Sequence, residues 1–315
     1  MSLWRVLLLC CVCGCSWEPE ASAADALPNV NPTGARFYIV GPAGTRGTGP
    51  NARTLAPGFG VSIVEEVKLG AERLGRTRLG RLLPMRDLQP ATPSSFRGEL
   101  LTDGRLDFAW VGPKDARLWP RPEARGKFKA WRRKHLRVAL RQAQGPSGWT
   151  AVDGGWMESS ALRVPALAPR PGQVRAADPW IDVELASQTL VAYEGDRAVF
   201  ATLVSTGIGR EGSAFETPRG VHRIATKLIA ATMDNLEHTG VVPYSYEDVP
   251  YTQYIGRAAL HGAFWHDNFG TPVSHGCIKV SVQDAERLFG WTRPALSAGA
   301  TEVAARGQGS VIRVR

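Results

Sequence analysis

Two copies of one short pattern limit the first half of this chain to a pair of small, similar units. "FYIVGP" at residues 37–42 recurs as "FAWVGP" at 108–113, and "LGRLLPMRDL" at 79–88 recurs as "DGGWMESSAL" at 153–162. The offsets are 71 and 74 residues, a drift that one loop insertion gives, and the order of the two blocks is kept. Each copy runs from an aromatic-led apolar segment through a Gly turn to a closing apolar segment. Short apolar runs punctuated by 34 Gly and 22 Pro predict short β-strands rather than long helices. Units are expected at 36–95 and 106–165.

The pattern changes after the Pro- and Gly-containing stretch "ALAPRPGQVRAADP" (166–179), so 166–177 reads as a linker and 178–315 as a new domain. "WIDVELASQTLVAYEGDRAVFATLVSTG" alternates apolar and polar residues, with Ile181, Val183 and Leu185 on one face and a Glu194-Gly195-Asp196 turn between strands. "SVQDAERLFGW" (281–291) carries a helix signature: Ser281 can cap, Asp284 follows three residues later, and Ala285, Leu288 and Phe289 form an apolar face.

The N-terminus bears on compartment. Arg5 precedes a short apolar run in "MSLWRVLLLCCVCGCS", which is too short to span a bilayer and reads as a secretory signal over 1–23. "ASA" at 21–23 is a small-x-small cleavage site. "VCGC" at 12–15 resembles a bacterial lipobox that would lipidate Cys15. Both readings stand, and both place the body in a bacterial envelope or periplasm. Residues 24–35, Pro- and Asn-rich, read as a tether. Lys and Arg outnumber Asp and Glu by 38 to 29, giving a net charge of +9. That favours an acidic partner. In an exported protein an anionic envelope surface fits better than nucleic acid. The segment "KFKAWRRKHLRVALRQ" (127–142), with Phe128 and Trp131 among basic residues, is the candidate contact, although a solvated face with snorkelling stems gives the same pattern.

Of the five cysteines, Cys10, Cys11, Cys13 and Cys15 lie in the leader, so the exported body holds Cys277 alone and cannot form an internal disulfide. Cys277 sits in "SHGCIKVS" (274–281), between Gly276 and the segment that leads to Ser281. A helix N-terminus just downstream would favour a thiolate. Gly276 admits close backbone approach, and the main-chain N–H groups of His275, Gly276 and Cys277 can serve an oxyanion. His261, at the end of an apolar run and followed by Gly262, is a base held on a strand end, with His266 and His275 as other candidates. A metal site built from these histidines and Cys277 matches none of the common zinc spacings. A buried inert thiol is the plain alternative. The strand-end histidine and the Gly-flanked thiol favour nucleophilic catalysis.

"ALHGAFWHDNFGTPVSHGCIKVS" resembles the active-site signature of the L,D-transpeptidase catalytic (YkuD-type) family: a His-Gly, a loop of about a dozen residues, then Ser-His-Gly-Cys and an apolar residue. "TPRGVHRI" (217–224) and the opening hairpin extend the resemblance over most of 178–315. The closing element "GRTRLGRLLPMRDL" is similar to the end of bacterial SH3-like domains. The resemblance implies a mostly β protein: two small SH3-like β units followed by a YkuD-type mixed β-sandwich catalytic domain with short helices. It also implies a cysteine acyltransferase of peptidoglycan that passes the stem acyl group to an amine without a cofactor or metal. Hydrolysis by the same thiol (an L,D-carboxypeptidase or amidase) and a non-catalytic wall-binding role are the alternatives. Carried over, Cys277 is the nucleophile, His261 the base, and the Gly262 carbonyl orients the ring. His275 and Gly276 shape the oxyanion site. Ser274, Lys279, Tyr251, Tyr254, Trp265 and His266 are expected to contact the stem peptide. Lys279 departs from the family's Arg or Asn and lacks the planar fork of Arg. The aromatic stretch 231–254 is expected to be a lid or substrate-lining loop.

Overall fold

A computed structural model describes residues 32–50, 52–123, 126–237 and 243–315. The leader, Cys15 and most of the tether lie outside the described residues. The internal repeat is visible in hydrogen bonding. Strands Arg36–Val40 and Phe108–Val111 lead the two units. Each pairs antiparallel with a closing strand, Val40 opposite Leu88 and Val111 opposite Leu162. A single 3-10 turn precedes each closing strand, Met85–Asp87 in one unit and Ser159–Ala161 in the other. Gly41 N–H donates to the Asp87 carbonyl at 2.8 Å, and Gly112 N–H to that of Ala161 at 2.7 Å. The two offsets therefore equate the leading strands and the closing turns respectively.

The rest of the chain is two sheets and one helix. A six-stranded sheet runs in the order Gly220–Arg223, Val311–Val314, Pro179–Glu184, Thr189–Glu194, Arg197–Leu203, Glu99–Leu100. A ten-stranded sheet has as its main path Ile278–Val280, Ala258–Gly262, Ser245–Ile255, Gly60–Leu69, Arg36–Val40, Leu88–Pro90. The core between them joins Ile181, Val183, Leu190 and Ala192 of the first to Ile255, Leu260, Ile278 and Val280 of the second. The opposite face of the six-stranded sheet is covered too: Trp180, Val191 and Tyr193 pack with Phe108 and Trp110 of the second unit. A sheet buried on both faces explains the unbroken apolar run Leu190–Tyr193, which strict alternation would not give. The opening hairpin is in fact a three-strand meander, with the expected Gly195-Asp196 turn between its second and third strands.

The helix α1, Val282–Trp291, starts as the sequence predicts. Ser281 Oγ accepts the Asp284 N–H at 3.2 Å, and Ala285, Leu288 and Phe289 are buried. Its far end is closed by the buried Lys227. The ammonium donates to the carbonyls of Phe289 (2.6 Å), Thr292 (2.8 Å) and Pro294 (2.8 Å), groups that a helix end leaves without intrahelical partners.

The units do not hang from free linkers. Segment 96–105 supplies an edge strand, Phe200 pairing with Leu100, and its Gly98 N–H is shared between the two oxygens of the Asp284 carboxylate. Val174, in the predicted linker, is buried against the six-stranded sheet. The first unit continues the ten-stranded sheet at a Tyr246–Gly60 parallel bridge. Only glycine fits there, because a Cβ at position 60 would lie 2.6 Å from the Tyr246 ring and 2.8 Å from that of Phe264. The stretch 231–254 is not a loop over most of its length. Strands Thr226–Asp234 and Ser245–Ile255 pair through much of it, and residues 238–242 lie outside the described set.

A buried ion pair fastens the first unit to this hairpin. Arg81 Nη1 donates to Glu247 Oε1 at 2.5 Å, with the side chains 2% and 4% exposed. Burial pushes the Glu247 carboxyl up, against the pull of Arg81. Removing one partner strands a buried charge, whereas removing both does not. Arg81→Met should lower the stability read by urea unfolding by ~3 kcal/mol or more. The double variant Arg81→Met/Glu247→Leu should recover most of that loss.

Candidate active site

His261 is the fourth residue of strand Ala258–Gly262 and is 1% exposed. The neighbouring parallel strand Ile278–Val280 puts Lys279 directly beside it and Ile278 beside Leu260. Side chains alternate along a strand, so His261 and Lys279 share one face while Leu260, Ile278 and Val280 enter the core. Cys277, two residues before Lys279, belongs to the His261 face. His261 Nδ1 lies 3.0 Å from the Gly262 carbonyl. A carbonyl only accepts, so Nδ1 carries the proton and Nε2 keeps its lone pair.

The turn before Cys277 is braced by Ser274. Its backbone N–H donates to the Thr206 carbonyl (2.9 Å). Its Oγ donates to the Cys277 carbonyl (2.6 Å) and accepts the Gly276 N–H (3.0 Å). Ser274 is 0% exposed, so its hydroxyl serves the turn and does not meet a substrate. Gly276 is likewise not a free donor. It is required for its backbone, at φ 121°, where a Cβ would also meet the Glu216 carbonyl at 3.0 Å. The helix does not reach the thiol as expected. Strand Ile278–Val280 intervenes, so α1 begins roughly 13 Å further along extended chain, beyond the range of a helix-end effect.

Aromatic rings wall the site. The His275 ring stacks on Tyr244 (centroids 4.8 Å, 17°) and meets Phe215 edge-on at 4.7 Å. Trp265 stacks on Tyr246 at 3.8 Å and lies 5.9 Å from the His261 ring. Tyr254 and Tyr244 both face the thiol closely enough for its charge to raise their hydroxyls, after burial as the main cause. Tyr251 does not belong here. Its hydroxyl donates to Glu286 of α1 at 2.8 Å and its ring packs 5.7 Å from Phe289. Tyr251 and Tyr254 are three apart on one strand, so alternation separates their faces. Tyr244, Tyr246 and Phe215 join these walls although no motif marks them individually. The density of aromatics in 231–254 signalled a wall but not which rings formed it.

The buried His261, the half-buried His266 and His275 and the buried Lys279 ammonium act on one another at this face. Burial lowers His261 to about 3, opposed by the Gly262 carbonyl and helped by Lys279. His266 is lowered to about 3 by burial, then by Lys279 and His261. Its Nδ1 accepts the Asn268 N–H at 3.2 Å, and its buried Nε2 has no partner. His275 is lowered by burial and by Lys279. Burial lowers Lys279 to about 8, and Cys277 opposes it. Burial also raises the Cys277 thiol, while the Ala259 N–H and Lys279 pull it down.

The two most depressed histidines have a stability consequence. Folded, they bind protons near pH 3; their ordinary value is 6.5. Between those limits the unfolded chain binds more protons, so stability falls as pH drops through the window. The urea midpoint should decline from pH 6.5 to 4.5, and His266→Leu should make that decline shallower. Equal slopes in the two proteins would refute the assignment of His266 as a neutral buried ring.

Residues 178–304 match the family model described as the L,D-transpeptidase catalytic domain, YkuD. Among solved structures, the chain is similar to a Cys-to-Ser mutant of Enterococcus faecium L,D-transpeptidase, at 22% identity over 44% of this chain and 50% of that one, TM-score 0.33. It is similar to the catalytic domain of an E. faecium L,D-transpeptidase solved by NMR, at 22% over 46% of this chain and 100% of that one, TM-score 0.34. It also matches Mycobacterium tuberculosis L,D-transpeptidase 1, at 19% over 44% and 60%, TM-score 0.31. The chain thus spans half the length of the first of these. No curated protein matches it. What residues 178–304 are similar to is thus the YkuD-type L,D-transpeptidase catalytic domain.

Proposed function

We propose that this protein is an L,D-transpeptidase of peptidoglycan in which Cys277 forms a thioester with a peptide stem. The observation that carries the reading is the pairing of strands Ala258–Gly262 and Ile278–Val280. It sets an imidazole with a free Nε2 on the face from which the thiol emerges. The match of residues 178–304 to the family supplies the substrate class.

In this reading the Cys277 Sγ–H proton passes to His261 Nε2, and the sulfur attacks the carbonyl carbon of the stem's L-centre. Ser274 takes the Gly276 N–H, so the His275 and Cys277 N–H groups are the donors left for the developing oxyanion. Collapse of the intermediate breaks the C–N bond, and the leaving amine takes the proton from His261. An incoming amine then gives its proton to His261 as it attacks the thioester, and the thiol is restored. The Gly262 carbonyl keeps the ring in the tautomer this sequence needs. Trp265, Tyr244 and Tyr254 line the groove in which the stem lies. The predicted leader and the wall substrate agree in placing the reaction in the cell envelope.

The test is mass spectrometry of the 24–315 body incubated with a carbapenem and, separately, with disaccharide-tetrapeptides. A single adduct on Cys277, absent in Cys277→Ala, and a 3→3 cross-linked dimer are expected. His261→Ala should slow dimer formation by ~10²-fold or more while the fold, read by circular dichroism, is kept. A monomer shortened by one residue with no dimer would make the enzyme a hydrolase. No adduct at Cys277 would end the catalytic reading.

A further inference from the structure

We propose that Lys279 is the counter-ion of the Cys277 thiolate, a positioning residue that holds the nucleophile ionised. The inference rests on the reading of Cys277 as the nucleophile. Lys279 and Cys277 are two residues apart on the run into one strand, so both side chains leave toward the His261 face. The Lys279 backbone is fixed on its other edge by a reciprocal pair of bonds to Ser205, at 2.8 and 2.9 Å. The side chain is 8% exposed in a pocket of aromatic and imidazole rings. Its Nζ lies 5.2 Å from the Trp265 ring centroid, and its sole hydrogen-bond acceptor among the described residues is the Val273 carbonyl, at 3.5 Å.

A buried ammonium needs an anion or must give up its proton. Among the described residues no carboxylate pairs with Lys279. The other groups around it cannot serve. His261 on the adjacent strand, His266 on the loop that follows and His275 in the turn are bases, and Lys279 pushes each toward the neutral ring. Tyr244 and Tyr254 on the hairpin are held as neutral phenols. Asp267, on the same loop as His266, is engaged by Lys134 and Ser94. Cys277 is the group beside Lys279 that can become an anion, and each of the two favours the charged form of the other.

The proton balance is simple. When the S–H bond breaks, its proton goes to His261 Nε2 or, in the resting enzyme, to solvent. Lys279 keeps its three N–H bonds throughout and exchanges nothing. The sulfur then carries a negative charge beside a fixed positive one. The ammonium needs no planar fork to do this, so Lys at position 279 provides a compact charge where Arg would provide geometry.

The test is the pH dependence of Cys277 alkylation by iodoacetamide, with Cys277→Ala as the blank. Lys279→Gln should raise the apparent thiol pKa by about one unit or more, which is about a tenfold slower reaction at neutral pH. Lys279→Arg, which keeps the charge, should stay within about threefold of the wild-type rate. An unchanged profile in Lys279→Gln would overturn the proposal. If that variant does not fold, a shift of a unit or more in folded Lys279→Arg would overturn it. Alkylation needs no wall substrate, so the result separates from that of the transpeptidase assay. Cross-linking with an unchanged alkylation profile leaves the function standing and removes this inference. A shifted profile without cross-linking does the reverse.

Discussion

The site depends on how the loop after His261 is held. Residues 267–270 present four consecutive carbonyls, and each is met by a side chain. Lys134 takes that of Asp267 (3.1 Å), Ser205 that of Asn268 (2.7 Å), His135 that of Phe269 (3.0 Å) and Arg163 that of Gly270 (2.7 Å). Three of these four donors come from the second β unit. The start of the loop is held from the other side, where Phe37 of the first unit stacks on Phe264 at 3.9 Å. Loop carbonyls away from water are costly without partners. The two N-terminal units therefore act as clamps on the segment that carries Trp265 and His266, and through Trp265 they fix a wall of the groove beside His261 and Lys279.

This clamp changes the meaning of the basic segment 127–142. Several of its charges that suggest a surface contact in the sequence already have partners within the chain, at or near the surface. Lys134 pairs with Asp267 at 2.5 Å, Arg141 with Asp153 at 2.5 Å, and Lys129 Nζ donates to the Gly154 carbonyl at 2.8 Å. Trp131 remains 54% exposed, with the Arg117 guanidinium 5.2 Å from its ring centroid. The segment thus reaches the 267–270 loop through the turn at Lys134 and His135 and presents an aromatic surface at Trp131.

What could be read from the sequence was whatever is encoded locally. The Ser281 cap, the apolar face of α1, the strand repeat and the Gly195-Asp196 turn are each set by residues a few positions apart, and each is found where expected. Non-local facts were hidden. Nothing within 245–255 states that Asp248 and Tyr251 take positive φ (51° and 55°). The capture of the Gly276 N–H by Ser274 was equally hidden, since a free donor and a braced turn share one sequence.

The surroundings of the thiol also show why its neighbours matter more than the helix downstream. A helix end acts over about one turn, and the strand Ile278–Val280 puts α1 out of that range. In place of a dipole the site has nitrogen bases: the buried His261, the half-buried His266 and His275, each pushed toward the neutral ring, and the buried Lys279 amine. A neutral ring can pass a proton without adding net charge to its surroundings, which is what the role proposed for His261 asks of it. The same low polarity that raises the thiol makes any nearby positive charge act on it more strongly. Burial and ionisation are thus opposed at Cys277, and the side chain at position 279 is placed where it can decide between them.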